Sequence, residues 1–134
     1  MAHARGQSVS LEDLSVKFGD FTAVHPTNLT VQDGEFFSIL GPSGCGKTTI
    51  LKTISGFLEP SRGKVLIGGK DMAGLRANRR PTAMIFQSLA LFPLMNVRDN
   101  VAFGLEARGV GRGARLKRAD ELLELVALTG QGDK

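Results

Sequence analysis

Gly41-Pro42-Ser43-Gly44-Cys45-Gly46-Lys47-Thr48 carries the full G-x-x-x-x-G-K-[ST] spacing of a phosphate-binding loop. Its glycines let the backbone turn so that successive N–H groups converge on phosphate oxygens. Lys47 is placed to reach the β- and γ-phosphates, and the Thr48 hydroxyl to ligate Mg²⁺. Such a pattern also arises by chance in glycine-rich chains, and 17 of the 134 residues are glycine, so its surroundings matter. Upstream, Phe36-Phe37-Ser38-Ile39-Leu40 predicts a short buried strand. Downstream, residues 48–57 predict a helix whose positive N-terminal end faces the same anion. Ile50, Leu51, Ile54, Phe57 and Leu58 form its apolar stripe, and Gly56 and Pro60 supply the stop. Strand, loop and helix in that order predict an α/β core that holds a nucleoside triphosphate.

Length and composition narrow the setting. A chain of 134 residues, 42% hydrophobic and 22% charged, fits one modest domain or part of a larger one. Residues 89–95 form the longest apolar run and include Pro93, far short of the roughly 20 residues that span a bilayer. Residues 1–8 lack the apolar centre of a signal peptide. A single cysteine excludes an internal disulfide and suits a reducing compartment. These features predict a cytoplasmic chain that meets a membrane only through a partner. The net charge of +4 comes from basic residues spread along the chain, with no interleaved aromatics at Arg76-Arg79-Arg80 or around Arg108 to Arg118. Nucleic acid is therefore not an expected partner, and solvated faces or phosphate attraction account for the charge.

Outward from the loop, residues 8–18 partly alternate and predict a strand, Gly19-Asp20 a turn, and Ala23-Val24 with Leu29-Thr30-Val31 a second, antiparallel strand. Asp33-Gly34 reads as a turn into residues 36–40. Lys64-Val65-Leu66-Ile67 and Ala83-Met84-Ile85-Phe86 predict further strands, separated by a basic loop over 70–82. Asn96 predicts the N-cap of a helix over 97–108. A glycine-rich link over 109–113 leads to a last helix at 114–128, with Leu116, Ala119, Leu122, Leu123 and Val126 on one face. About forty residues precede the loop, which disfavours nucleotide kinases and small GTPases.

Three stretches together resemble the ATP-binding subunit of ABC transporters: Lys17-Phe18-Gly19-Asp20, then Gly41 to Thr49, then Met84-Ile85-Phe86-Gln87-Ser88-Leu89-Ala90-Leu91-Phe92-Pro93. Asn100-Val101-Ala102-Phe103-Gly104-Leu105 adds a fourth. The order and spacing are those of the family, and the wording is most similar to importer ATPases of the spermidine/putrescine type. Ferric iron, sulfate and sugar importers resemble it nearly as well. The resemblance implies a P-loop NTPase (ABC ATPase) core with an N-terminal antiparallel β-subdomain and a truncated α-helical subdomain. Within one ABC ATP-binding domain, it assigns residues 8–35 to the β region, 36–87 to the core between the P-loop and Gln87, and 96–134 to the start of the helical subdomain.

The same resemblance supplies roles. ATP and Mg²⁺ are the implied cofactors, held by Gly41, Pro42, Ser43, Gly44, Cys45, Gly46, Lys47, Thr48 and Thr49. Phe18 matches the aromatic that stacks on adenine. The alternatives are that it packs within the β region, or that Phe21 does the stacking. Gln87 matches the residue that contacts Mg²⁺ or the attacking water, a task suited to an amide that donates and accepts without changing charge. Residues 89–95 match the groove for a coupling helix of a transmembrane permease subunit, burial within the chain being the alternative. A second ATP-binding subunit as dimer partner, and a solute-binding protein acting indirectly, complete the implied assembly on the cytoplasmic face of the membrane. Cys45 reads either as a small residue that fits the turn or as a thiol made reactive by the helix N-terminus.

The family also hydrolyses ATP with an apolar strand ending in Asp-Glu, a switch His and an LSGGQ loop. None of these follows Gln87, and both histidines, His3 and His25, precede the loop. The expectation is the N-terminal part of an importer ATPase, with the 134-residue chain alone binding ATP weakly and not turning it over. The alternative is a non-hydrolytic nucleotide-binding or regulatory module.

Overall fold

The computed structural model describes residues 6–44, 46–88 and 90–134, so the expectations for Cys45, Leu89 and residues 1–5 lie outside it. Two compact units divide the chain, Met1–Met84 and Ile85–Lys134.

The first unit is built on an antiparallel sheet. Strands β1 (Val9–Phe18), β2 (Phe21–Val31), β3 (Arg62–Ile67) and β4 (Lys70–Asp71) lie in the order β2-β1-β3-β4. Strands β1 and β2 form the expected hairpin, Phe18 facing Phe21 across the Gly19-Asp20 turn. A plain two-residue alternation would send Leu11 and Leu14 to opposite faces, yet both are buried in one cluster. Asp13 resolves this. Its φ of 46° breaks the strand between the two leucines. The side chain of Asn28 accepts from the Asp13 N–H at 3.0 Å and donates to the Asp13 carboxylate at 3.1 Å, holding a backbone shape that Asp tolerates better than most residues. Leu11, Leu14, Val65, Ile67 and Met72 form the core. Burial of each leucine contributes about 2 kcal/mol.

Helix α1 (Lys47–Ser55) lies over this cluster through Ile50 and Ile54, one turn apart on the same face. Of the expected stripe, Leu51 and Phe57 remain about half exposed. Gly56 ends the helix as expected, with φ 83°, and the Phe57 N–H donates back to the Lys52 carbonyl at 2.9 Å. Glycine is required there, because a Cβ would come within 2.7 Å of Arg80 Nε.

Arg80 is the principal departure from the reading of 70–82 as a solvated basic loop. It follows a single 3₁₀ turn, Ala77–Arg79, and only 8% of its surface is exposed. Its guanidinium donates to the carbonyls of Leu75 (2.8 Å), Thr53 (2.9 Å), Ile54 (3.1 Å) and Met72 (3.1 Å). Two of those carbonyls belong to the last turn of α1, where a cation complements the helix dipole. Burial pushes the guanidinium pKa down, and the nearby charges of Glu59 and Asp71 oppose that shift. Strand β4, inside the same supposed loop, pairs with the end of β3 and brings Met72 into the core.

Two expected strands do not form. Residues 36–40 and 83–86 carry no ladder hydrogen bonds, and Phe36, Leu40 and Ile85 are 95%, 90% and 87% exposed. A strand draws its stability from neighbours on both edges and on its faces, and among the described residues no strand pairs with either segment.

The second unit pairs helices α2 (Val97–Glu106) and α3 (Arg112–Leu125). Asn96 caps α2 as expected, accepting from the Asp99 N–H at 2.8 Å. Helix α2 ends two residues before the predicted boundary, and α3 begins two residues before its own and ends three early. No side chain caps the start of α3, and its end is turned by Ala127 at φ 60°, a residue type that gives no stop signal. Ala119 and Leu123 are buried as expected, whereas Val126 is 61% exposed. Arg98 ties this unit together through ion pairs to Asp120 (2.6 Å) and Asp133, whose hydrogen bonds hold its pKa above the ordinary guanidinium value.

Candidate functional site

The phosphate loop lies between residue 40 and α1, and glycine geometry shapes it. Gly44 and Gly46 have φ of 79° and 89°, the left-handed region that side-chain-bearing residues rarely adopt. Gly46 is also seated against β2: a Cβ there would lie 2.5 Å from the Ala23 carbonyl oxygen. The hairpin thus fixes where the loop enters the helix.

Gly46 is the N-cap of α1. Among the described residues no side chain caps that end and no acidic residue lies in the first turn, which leaves the positive helix end facing the loop. The first helical bond runs from Ile50 N–H to the Gly46 carbonyl at 2.9 Å. Lys47 folds over the loop and donates through Nζ to the carbonyls of Gly41 and Pro42, the latter at 2.9 Å. An ammonium group held by two neutral carbonyls gives up little on turning to an anion, because charge-assisted bonds to phosphate are stronger. Thr48 is exposed at the same helix end, and Thr49 is partly buried beside it. The Thr48 hydroxyl is a hard oxygen donor suited to Mg²⁺ completed by phosphate oxygens and water. Among the described residues no group of three or more His, Cys, Asp or Glu side chains could hold a metal ion.

The other predicted site residues are exposed. Phe18, at the end of β1, is 50% exposed and Phe21 63%, so neither ring is packed away inside the β region. Gln87 lies in an exposed turn at the start of the second unit. The described residues of the apolar run, 90–95, are not buried within the chain: Leu91 is 75% and Leu94 100% exposed. Sequence reasoning missed what shapes this run. Asn100 accepts from the Phe92 N–H at 2.9 Å and donates to the carbonyls of Phe92 (3.2 Å), Met95 (3.0 Å) and Asn96 (3.0 Å). The Phe92 ring rests on that of Phe103, centroids 4.4 Å apart. An amide near a helix start was the one available signal, and it pointed to Asn96 instead.

A phosphate loop seated on an antiparallel hairpin, with a helix running from it, defines a P-loop nucleotide-binding fold. Residues 24–134 match the ABC transporter family, and the chain belongs to that family. A spermidine/putrescine import ATP-binding protein of Rubrobacter xylanophilus is 50% identical over 126 residues, covering 94% of this chain and 33% of that protein. An Fe(3+) ions import ATP-binding protein of Brucella abortus is 48% identical over 134 residues, covering 100% of this chain and 38% of that protein. Among solved structures, the ATP-binding cassette MJ0796, in a dimeric post-hydrolysis state bound to ADP and Pi, superposes with a TM-score of 0.79 at 31% identity. That match covers 93% of this chain and 60% of the other. The fold is that of an ABC ATPase, and the chain spans about a third of the length of these curated relatives. Among the described residues no helix is long and apolar enough to cross a membrane.

Proposed function

We propose that this chain is the nucleotide-holding part of the ATP-binding subunit of an ABC-type importer, peripheral on the cytoplasmic face of the membrane. The observation that carries the reading is the loop: Gly44 and Gly46 in left-handed conformation, Lys47 arched over it, and an uncapped helix N-terminus behind. In this reading Lys47 leaves the Gly41 and Pro42 carbonyls for the β- and γ-phosphates. Backbone N–H groups from Ser43 to Thr49 cradle the same oxygens, Gly41 and Pro42 shape the turn, and the Thr48 hydroxyl helps hold Mg²⁺. An exposed Phe18 ring offers its face to adenine, with Phe21 beside it. Gln87 orients the attacking water, and the run over 89–95 meets a permease subunit. A second ATP-binding subunit completes the assembly.

Polyamine uptake is the transport reading we favour, from the spermidine/putrescine relative at 50% identity. An iron-import relative stands close behind at 48%. No residue described here would touch the solute, so transport assays with the permease decide between the two.

Within the 134-residue chain no Asp-Glu strand follows Gln87, and among the described residues segments 36–40 and 83–86 join no sheet. We therefore propose that the chain alone binds ATP and does not turn it over. A fluorescent ATP analogue should bind in the presence of Mg²⁺, and Lys47→Ala should weaken it at least about tenfold through loss of the charge-assisted bonds. Equal affinity in both proteins would sink the nucleotide assignment. Phosphate release that disappears in Lys47→Ala would overturn the claim of no turnover.

A further inference from the structure

The first unit holds a second concave site, whose lining includes no residue of the phosphate loop. At the edge of the sheet, β2 spends two more residues than β1 between the Leu14–Thr27 and Lys17–Thr22 pairs. Pro26, which has no N–H to give a ladder, lies within that irregularity beside His25. On β1, Ser15 and Lys17 are two residues apart and share a face. Their cross-strand partners are Arg62 on β3 and Thr22 on β2. The Lys17 N–H donates to Ser61 Oγ at 2.9 Å, and the Ser61 N–H to the Ser15 carbonyl at 2.9 Å, which fixes the start of β3 against β1.

The result is a cleft of about 320 Å³ lined by Ser15, Lys17, Thr22, His25, Ser61 and Arg62, with Pro26 at its side. Every ionisable side chain in the lining is a base, and three hydroxyls stand among them. Among the described residues neither Lys17 nor Arg62 enters an ion pair, although five other basic–acidic contacts are present. Two cations on neighbouring strands line one cleft that no acidic residue lines, a setting that favours a bound anion. A planar guanidinium, an ammonium and hydroxyl donors around one cleft match the oxygens of a phosphate group.

We propose that this cleft is a second anion site that takes a phosphate-bearing group, independent of the nucleotide loop. Lys17 and Arg62 supply the charge, and Thr22 and Ser61 supply hydroxyl contacts.

Inorganic pyrophosphate, titrated calorimetrically into the full chain carrying Lys47→Ala, is the direct test, because that background removes the loop lysine. Salt-sensitive binding should persist there, and Arg62→Ser or Lys17→Ser added to it should weaken that binding about tenfold each. Arg62→Lys should keep more affinity than Arg62→Ser, which separates loss of charge from loss of fold, with circular dichroism confirming an intact sheet. Co-sedimentation with phosphatidic acid vesicles, competed by pyrophosphate, would assign the phosphate to a lipid headgroup. Pyrophosphate binding without vesicle binding would assign it to a free anion. Absence of pyrophosphate binding in the Lys47→Ala protein, or binding indifferent to both Arg62→Ser and Lys17→Ser, would overturn the proposal.

Discussion

Residues 64–67 and residues 36–40 are both short and apolar, yet they meet opposite fates. Val65 and Ile67 are each 3% exposed in a strand paired on both sides, while Phe36 and Leu40 stand almost wholly in solvent. Composition does not separate them. Strand β3 finds β1 on one edge, β4 on the other and α1 over its face, all within the chain. Among the described residues the 36–40 segment finds no strand to pair with. A hydrophobic run thus states a demand for burial, and the partner decides whether a strand results. Helix α1 shows the same demand on its own surface. Ile50 and Ile54 are covered by the sheet, whereas Leu51 is 45% exposed, as expected of a helix made to be buried on more than one side.

If that contrast is right, the paired region should be fragile to changes within it. The largest effect is expected for Arg80→Ala. It strips four carbonyls of a charged donor, two of them in the last turn of α1, and should cost about 4 kcal/mol. Arg80→Lys should recover only part, since a point charge cannot span the four acceptors. Urea unfolding followed by circular dichroism is the appropriate measurement, because the chain has neither Trp nor Tyr. A loss below about 1 kcal/mol for Arg80→Ala would show that α1 is held by its apolar face alone. Next in size, Leu14→Ala should cost about 3 kcal/mol, since its side chain is fully buried between sheet and helix.

How much could be read in advance follows the same division. The hairpin, the phosphate loop, the glycine that ends α1 and the Asn96 cap were all legible, because each depends on residues close in sequence. Arg80 was not: its acceptors at Thr53 and Ile54 lie more than twenty positions away, and nothing in Arg79-Arg80-Pro81 distinguishes a buried arginine from a solvated one. The left-handed Asp13 and Ala127 were hidden for a similar reason, since Ala gives no sign of a positive φ and the Asn28 that holds Asp13 lies fifteen positions away. Of the candidate site, the glycine turns of the loop were legible, whereas Phe18 and Phe21 are both exposed and the choice between them stays a proposal. How the 89–95 run is shaped depended on an asparagine already counted as part of a helix.

Asn100 offers the next test, because it orders an apolar stretch that has no ladder to order it. Asn100→Ala removes four hydrogen bonds at a partly buried site and should cost the second unit about 1.5 kcal/mol. It should also speed amide exchange at Phe92, whose N–H the Asn100 side chain accepts. Unchanged exchange there would mean that the Phe92–Phe103 ring contact fixes the run without the amide.

The smallest effect should come from the most hydrophobic change. Phe36→Ser removes an entire aromatic side chain, and in a packed strand that would cost several kcal/mol. Here the ring is 95% exposed, so stability in the 134-residue chain should move by less than about 0.5 kcal/mol, and aggregation should fall as an apolar surface is lost. Amides of residues 36–40 should exchange far faster than those of residues 64–67, which pair with β1 throughout and with β4 at Leu66 and Ile67. A measured cost above about 1 kcal/mol, or matched protection of the two segments, would mean that residues 36–40 find a partner in solution. A second copy of the chain would then be the first candidate, because an unpaired apolar strand is also a template for its own kind. Concentration dependence of the unfolding midpoint separates those cases: a midpoint that rises with protein concentration marks pairing between copies, and a constant one marks pairing within the chain.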